Sequence, residues 1–235
     1  MTNLRNENTG QMNYAVLTGD IVNSSSLKDD RRYQMYQDMQ QLSGLLKQVF
    51  VKEIRYDLSN FRGDGWQLIL DQPERSLAVS IFIRTYFRYK YKEEKLDSRV
   101  AIAVGPVDYI PRENISEGFG PAFDASGRLL DEMKSEKTNI VVSHTWKIQY
   151  QKMINALVRT MDDLISSWTA PQSQAIHLAL QGLTQTESGE RWKPKPITQP
   201  SVARHLKSAQ WGFVKNAIEL FEVTMSMMMN SEIEG

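Results

Sequence analysis

The chain has 235 residues and a mass of 27.0 kDa, which suits one large domain or two modest ones. Its 28 basic and 28 acidic residues balance, which excludes a uniformly basic nucleic-acid-binding surface but leaves room for a local basic patch. It has no cysteine and only three histidines, far apart in sequence, so disulfides, thiolate metal sites, a cysteine nucleophile and a histidine-rich zinc centre are not expected.

The N-terminal segment is polar and lacks the hydrophobic stretch of a secretory signal. No apolar segment approaches the ~20 residues that a membrane span requires. We therefore expect a cytoplasmic protein with no membrane partner, beginning with a flexible tail over residues 1–12.

The first part of the chain alternates short strands with long helices. The apolar segment 13–17 predicts a buried strand, followed by a polar loop and a helix over 28–51. Segments 54–61 and 65–70 predict two strands joined by Arg62-Gly63-Asp64-Gly65, the strongest hairpin signal in the chain.

Five further elements follow before the pattern changes. They are a helix over 73–92, a buried strand over 98–105, a partner strand over 107–115, a helix over 121–134 and a strand over 139–142. This order predicts an α+β fold with a mostly antiparallel sheet, helices on one face and a ferredoxin-like centre.

No strand is predicted after residue 142. A helix over 144–168 ends where Thr169-Ala170-Pro171 breaks it. The predicted organisation is an α+β domain over 13–143, a connecting helix over 144–171 and an all-α module over 172–235.

Two acidic residues occupy unusual places. Asp20 ends the first strand, and Asp64 lies at the tip of the hairpin. In a ferredoxin-like sheet the first strand is central and adjoins the hairpin, so the two carboxylates can meet at one edge, where they repel unless a cation or a proton intervenes. Mg²⁺ takes one or two carboxylates and completes its shell with water and phosphate. The alternative is structural, since Gly-Asp-Gly is also good turn chemistry.

The loop after Asp20 is suited to phosphate. It supplies backbone N–H groups and the small polar residues 23–26, and it leads into a helix N-terminus. Together with the two acids, this pattern favours a metal-assisted phosphate site.

Four segments, in order over residues 13–142, resemble the class III nucleotidyl cyclases. LTGDIVNSSSL resembles their first-strand motif, FRGDGWQLIL their Gly-Asp hairpin, and VAIAVGPV their strand that ends in Gly-Pro-Val. GFGPAFDASGRLLD falls where cyclases carry a glycine, an asparagine and an arginine on one helix. Its Gly-Pro-Ala-Phe, together with a helical C-terminal module, resembles the SatD family more closely still.

This resemblance implies a nucleotidyl cyclase-like domain with a divalent metal cofactor, Mg²⁺ or Mn²⁺. Asp20 and Asp64 would be the catalytic metal ligands, and Arg128 would be the catalytic residue that steadies the transferring phosphate. The Ile21 carbonyl could join the metal ligands, and the backbone from Val22 to Ser25 would face the phosphates. The implied nucleotide- and phosphate-binding set is Ile21, Val22, Asn23, Ser24, Ser25 and Asp124.

The sequence also departs from the cyclase pattern. The cyclase asparagine is Asp124 here, the base-reading lysine falls on Asn60, and its acidic partner falls near Glu117. Nucleotide binding is therefore better supported than cyclisation. Arg128 has a structural alternative, pairing with Asp124 or with Asp131 on its own helix. Because cyclase half-sites come from two chains arranged head to tail, a catalytic Arg128 implies a symmetric homodimer.

Residues 172–211 resemble a helix-turn-helix. Thr198 would cap the recognition helix and Val202 and Leu206 would face the core, whereas the outward, DNA-binding residues would be Gln199, Ser201, Arg204, His205 and Lys207. A local excess of basic residues over 190–215 supports DNA binding. Two features count against a helix-turn-helix: Ser188-Gly189 stands where an apolar residue normally packs, and the connection before the recognition helix is longer than usual. The alternative is a protein-interaction or dimerisation module.

The last helix, over 211–229, is strongly apolar and is either core or a helix–helix dimer seam.

The first hypothesis for the function of the whole chain is a Mg²⁺-dependent nucleotide-binding regulator. The alternatives are an active nucleotidyl cyclase or nucleotidyltransferase and a non-catalytic interaction scaffold.

Overall fold

A single sheet organises the computed structural model, which describes residues 13–111, 114–144 and 148–231. The spatial order of its strands is β2-β3-β1-β4-β5. The strands are β1 (Tyr14–Val22), β2 (Ser59–Arg62), β3 (Gly65–Leu70), β4 (Asp97–Gly105) and β5 (Ile140–His144). Strand β1 is antiparallel to both β3 and β4, and β5 runs parallel to β4.

Eight α-helices occupy the described part of the chain. They are α1 (Asp29–Val49), α2 (Ser76–Lys90), α3 (Pro121–Glu136), α4 (Ile148–Ser167), α5 (Ala170–Leu180), α6 (Gln185–Glu190), α7 (Gln199–Ser208) and α8 (Trp211–Ser231). Within these described residues, no helix combines the length and apolar character that crossing a membrane requires.

The predicted α+β class is confirmed. The chain follows the β-α-β-β-α-β order of a ferredoxin-like unit from β1 to β4, and β1 lies between the hairpin strand β3 and strand β4. Its apolar residues 15–17 are fully buried, as a central strand requires. The predicted tail over residues 1–12 lies outside the described residues.

The prediction that the helices cover one face of the sheet is wrong. Ala15 and Leu17 face the main core, which α1 and α2 also line, whereas Val16 packs on the opposite face against Phe123 of α3. The central strands carry apolar residues on both faces, so each face needs a covering layer. Helix α3 supplies the second layer.

Two predicted strands are also corrected. Of the segment 54–61, only the part from Ser59 onward is in β2, because Ile54 closes the turn that follows α1 and donates its backbone N–H to Phe50 at 3.0 Å. In the segment 107–115, the described residues 107–111 and 114–115 form no strand, and Tyr109 makes an isolated bridge with Phe119. The segment's flanking prolines remove backbone donors that a sheet ladder needs.

The helices that follow β5 share a hydrophobic core with the sheet. One continuous cluster of buried residues runs from Ala15 on β1 to Met228 on α8. Helix α2 is buried from Ser76 to Phe87 on all sides, between the sheet and α5. The boundary near residue 143 stays a prediction.

A fully buried guanidinium joins three of these elements. Arg84 on α2 donates to both carboxylate oxygens of Asp97 at 2.9 and 2.7 Å and to Asp162 on α4 at 2.6 Å. Arg88 adds a second cation on Asp97 at 2.7 Å. Burial alone would raise the pKa of Asp97, but these two guanidinium groups lower it below its usual range. Asp97 is therefore a carboxylate held in the ionised form.

Arg84→Met should lower the free energy of unfolding by about 3–5 kcal/mol, because it leaves the buried carboxylate of Asp162 without its cation and Asp97 with Arg88 alone. The measurement is equilibrium denaturation in urea. Arg55→Met is the matched control: Arg55 is 63% exposed in its ion pair with Asp71, so its loss should cost below about 1 kcal/mol. Equal losses for the two variants would contradict the assignment.

Candidate functional site

The structure places Asp20 and Asp64 at the same edge of the sheet. Gly19 pairs with Trp66, so the antiparallel register brings Asp20 opposite Gly65, and Asp64 is the next residue along. Neighbouring strands are about 4.8 Å apart, so the two acidic residues lie on adjacent segments of backbone. Each side chain retains partial solvent exposure.

A hydrogen bond joins the loop after β1 to the hairpin. The hydroxyl of Ser24 donates to a carboxylate oxygen of Asp64. Asn23 adopts a left-handed conformation (φ 66°) and starts the short turn Ser24–Ser26. Its side-chain amide donates to the carbonyl of Lys95 at 3.0 Å. The polar loop is therefore fixed beside the acidic pair, with Ser25 exposed at its tip.

The predicted phosphate-binding residues Ile21 and Val22 lie in β1 itself. They stand opposite Ser98 and Asp97 in the register with β4. The side chain of Ile21 is buried in the core, so only its backbone is available to a ligand. Asn23 and Ser25 are the exposed residues of the predicted phosphate loop, and Ser24 between them is half-buried.

Sequence reasoning missed Arg99, the direct partner of Asp20. Arg99 lies opposite Asp20 in the β1–β4 register, and its Nη1 contacts both carboxylate oxygens at 3.0 and 3.2 Å. The signal that could have found it is strand register, because a cation across from an acid on an antiparallel pair forms an ion pair. The edge thus holds two carboxylates and one guanidinium.

Helix α3 is anchored to the face of the sheet that carries Thr18 and Asp20. The hydroxyls of Thr18 and Ser126 lie 2.7 Å apart in a buried hydrogen bond, and Gln67 donates to Thr18 at 3.1 Å. Thr18 and Asp20 alternate with the core-facing residues of β1, so both face α3.

Arg128 and Asp124 lie elsewhere on α3. Both are exposed and line a cleft of about 400 Å³ with residues of the β4 and β5 ends, among them Ala103 and His144. Ala103 is about 13 Å along β4 from Arg99, at ~3.3 Å per residue. Asp131, an alternative partner of Arg128, pairs with Lys134 at 3.0 Å. Among the described residues, Arg128 thus lines this cleft, and no hydrogen bond or ion pair joins it to Asp20 or Asp64.

The two positions that correspond to base-reading residues lie on neighbouring segments. Asn60 is on β2, and Glu117 ends the short turn Ile115–Glu117. The backbone N–H of Ile115 donates to the Ser59 hydroxyl at 3.1 Å, which joins the two segments. Asn114 donates to Glu117 at 3.1 Å.

Helix α7 buries the residues predicted to face the core. Val202 and Leu206 are 0% and 7% exposed. Gln199, Arg204 and Lys207 are exposed, whereas Ser201 and His205 are half-buried. His205 stacks on Trp192 with ring centroids 5.3 Å apart, and Gln199 donates to Gln185 on α6. Of the predicted outward set, three residues are thus freely presented to solvent.

Gly189 on α6 is explained by close packing. A Cβ there would lie 2.5 Å from the carbonyl oxygen of Ile197, just before α7. The backbone N–H of Ile197 also donates to the carbonyl of Gly189 at 3.0 Å. The glycine that counted against a helix-turn-helix is therefore the residue that lets α6 approach the start of α7.

Comparison with known proteins gives partial structural neighbours, of which one is described below. No family model matches the chain, and no curated protein matches it. A solved structure of a bacterial light-regulated adenylyl cyclase is similar over 56% of this chain and 43% of that chain, at 12% identity and a TM-score of 0.38. The match therefore spans less than half of that protein, and a score this low carries no argument about activity.

Gly19→Ala should destabilise the protein by about 1–3 kcal/mol, because the added Cβ would lie 2.3 Å from the Trp66 ring and 2.4 Å from the Arg99 carbonyl. Gly44→Ala on α1 is the control, since nothing lies within 4 Å of its added Cβ. That substitution should stabilise by about 0.5–1 kcal/mol through helix propensity. Thermal denaturation of both variants measures the difference, and the same sign for both would contradict the packing described.

Proposed function

We propose that this protein is a regulator that binds a nucleotide with Mg²⁺ at the edge formed by Asp20 and Asp64, in a domain of the nucleotidyl cyclase-like type. The observation that carries the proposal is the hydrogen bond from Ser24 to Asp64. It holds the polar loop that follows Asp20 against the hairpin acid, so metal-ligating and phosphate-binding groups occupy one place.

The residues present suit a hard divalent cation. Asp20 and Asp64 supply carboxylate oxygens, and the Ile21 carbonyl and the Ser24 hydroxyl are neutral oxygen donors nearby. Mg²⁺ commonly takes one or two carboxylates and completes its shell with water and phosphate. When bound, the metal would neutralise charge on the nucleotide phosphates.

Arg99 adjusts the charge of this site. It holds Asp20 in an ion pair. The side chains of Arg99 and Asp20 are 25% and 13% exposed, so both groups stay partly open to solvent. The two acids and one guanidinium sum to a single negative charge, which still attracts a cation. The guanidinium also offers a donor to phosphate oxygens. We therefore assign Arg99 to the phosphate-binding residues.

Binding is favoured over turnover in a single chain. Arg128 and Asp124 line the separate cleft near Ala103, so in the described chain the cation beside the acidic pair is Arg99, whose charge is already paired with Asp20. A transferring phosphate would need a further cation such as Arg128. An active cyclase or nucleotidyltransferase would need a second chain to supply Arg128, as in the head-to-tail homodimer of the cyclases. A non-catalytic interaction scaffold is the remaining alternative.

The protein should be stabilised by a nucleoside triphosphate in the presence of Mg²⁺ but not in EDTA. At a ligand concentration of 100 Kd the gain is about 2.7 kcal/mol. Asp20→Asn and Asp64→Asn should each remove it, because they remove a metal carboxylate. Thermal shift with each of the common nucleoside triphosphates and Mg²⁺ or Mn²⁺ measures this effect.

Asp131→Asn, on the exposed surface of α3, is the matched control and should respond as the natural sequence does. Pyrophosphate release in the same samples would support the enzyme alternative. Equal nucleotide stabilisation of all three variants, or none with the natural sequence, would overturn the proposed site.

A second function, DNA binding by α7, has its own supporting observation. Arg204 and Lys207 are exposed on the helix whose opposite face, Val202 and Leu206, is buried. Neighbouring exposed cations at Lys193 and Lys195 extend a basic surface toward the same end. A helix presented in this way suits the major groove, where its cations can contact phosphates and bases.

Double-stranded DNA should therefore bind in a salt-dependent manner, and Arg204→Ala with Lys207→Ala should flatten the dependence of log K on log salt by about 1.8. Gel shift or fluorescence anisotropy at several salt concentrations measures the slope. Lys134→Ala on α3 is the control and should leave it unchanged. An unchanged slope in the double variant would exclude α7 as the contact.

A further inference from the structure

Helix α8 has two apolar faces. The inward face packs into the main core, where its residues are nearly inaccessible to solvent: Val214, Ala217, Ile218, Phe221, Met225 and Met228. A helix of an isolated globular protein normally pairs one such face with a polar one. The exposed side of α8 also carries large apolar residues, beside the polar Lys215, Asn216 and Glu219.

The outward stripe of α8 is defined by four large apolar residues, each about half-exposed or more. Phe213, Leu220, Val223 and Met227 are 46%, 56%, 52% and 67% exposed. Phe213, Leu220 and Met227 recur at every seventh residue, and Val223 takes the intermediate position. This 3.5-residue repeat is the spacing of coiled-coil a and d positions.

We propose that the outward stripe of α8 binds the outward stripe of a second copy of this chain about a two-fold axis. A seam with a 3.5-residue repeat matches a helix of the same repeat, and the copy supplies that helix. The 21 residues of α8 span about 31 Å, long enough for three heptads. Exposed Asn216 lies in the seam, where a polar residue fixes register.

The exposed area agrees with such a partner. Side chains of this size carry ~150–200 Å² when free, so four half-exposed residues leave about 350–400 Å² open on one copy. That is near the largest contiguous apolar patch of an ordinary monomer. Pairing would hide about twice that area, ~700–800 Å² in total, which is the size of a weak, reversible contact and below the ~1,200 Å² of a stable one.

The flank of the stripe is polar, as the rim of an interface should be. Lys215 and Glu219 lie 3.8 Å apart on neighbouring turns of the exposed side. Glu222, the next acid, is turned inward by an ion pair with Arg75. The stripe therefore meets its copy without a charged residue in the seam, so pairing leaves no buried charge uncompensated.

This dimer does not depend on the nucleotide site. It differs from the head-to-tail arrangement of the cyclases, because its seam lies on α8, away from Asp20 and Arg128. The dimer is tested by particle mass, and the nucleotide site is tested by nucleotide-dependent stability. Failure of either proposal therefore leaves the other one standing.

Light scattering during size-exclusion chromatography should give a particle of twice 27.0 kDa for the full chain at micromolar concentration. Leu220→Glu and Val223→Glu should each raise the dimer dissociation constant at least tenfold, because they place two like charges in the seam. Both side chains are solvent-exposed in one chain, so circular dichroism should show an unchanged fold. Val51→Glu, at a residue 71% exposed outside α8, is the control and should stay dimeric.

Disulfide trapping provides a second measurement, because the chain has no cysteine of its own. Val223→Cys should cross-link two chains under mild oxidation, and Val51→Cys should not. A monomeric natural protein, or seam variants that remain dimeric and a Val223→Cys protein that does not cross-link, would overturn the proposal.

Discussion

The buried ion pairs of Arg84 are the constraint on which the rest of the structure depends. This guanidinium, 0% exposed, joins α2 to Asp97 at the start of β4 and to Asp162 on α4. Asp162 also accepts the backbone N–H of Asn139 at 2.7 Å, which fixes the approach to β5. Because β4 is held at its first residue, its register against β1 is determined, and Arg99 stands opposite Asp20. The charge distribution at the candidate site thus depends on Arg84, a charged residue buried on the other side of the sheet.

Two kinds of anchoring serve that site. Asp20 is positioned by strand pairing and by Arg99, whereas Asp64 lies in a turn and is positioned by Ser24. The first is rigid because it belongs to the central strand, and the second depends on a loop that follows the same strand. Asp64 can therefore move with its loop, whereas Asp20 is held by the sheet.

Local patterns predicted much of this protein, and contacts distant in sequence account for the rest. Periodicity and turn chemistry correctly identified β1, the hairpin at Asp64, and the buried side of α7. They missed the ion pair of Arg99, because its partner is decided by strand register. They also misplaced α3, since an apolar strand does not say which helix covers which face. The role of Gly189 was hidden because the close approach that requires it comes from Ile197. The roles of Asp20, Asp64 and Arg128 stay predictions.

Helix α2 has a consequence for how this protein can be divided. Its outer side is covered by α5, where His177 lies against Phe82 with ring centroids 4.0 Å apart and donates from Nδ1 to the Phe82 carbonyl at 3.2 Å. Burial lowers the pKa of His177 to about 3, so the ring enters that contact uncharged. Removing the chain beyond β5 would leave a strip of aromatic surface in water. Recombination between genes could therefore append segments to this protein. It could not exchange the sheet half for another without also redesigning α2, the helix at the junction of the sheet half and the helical half.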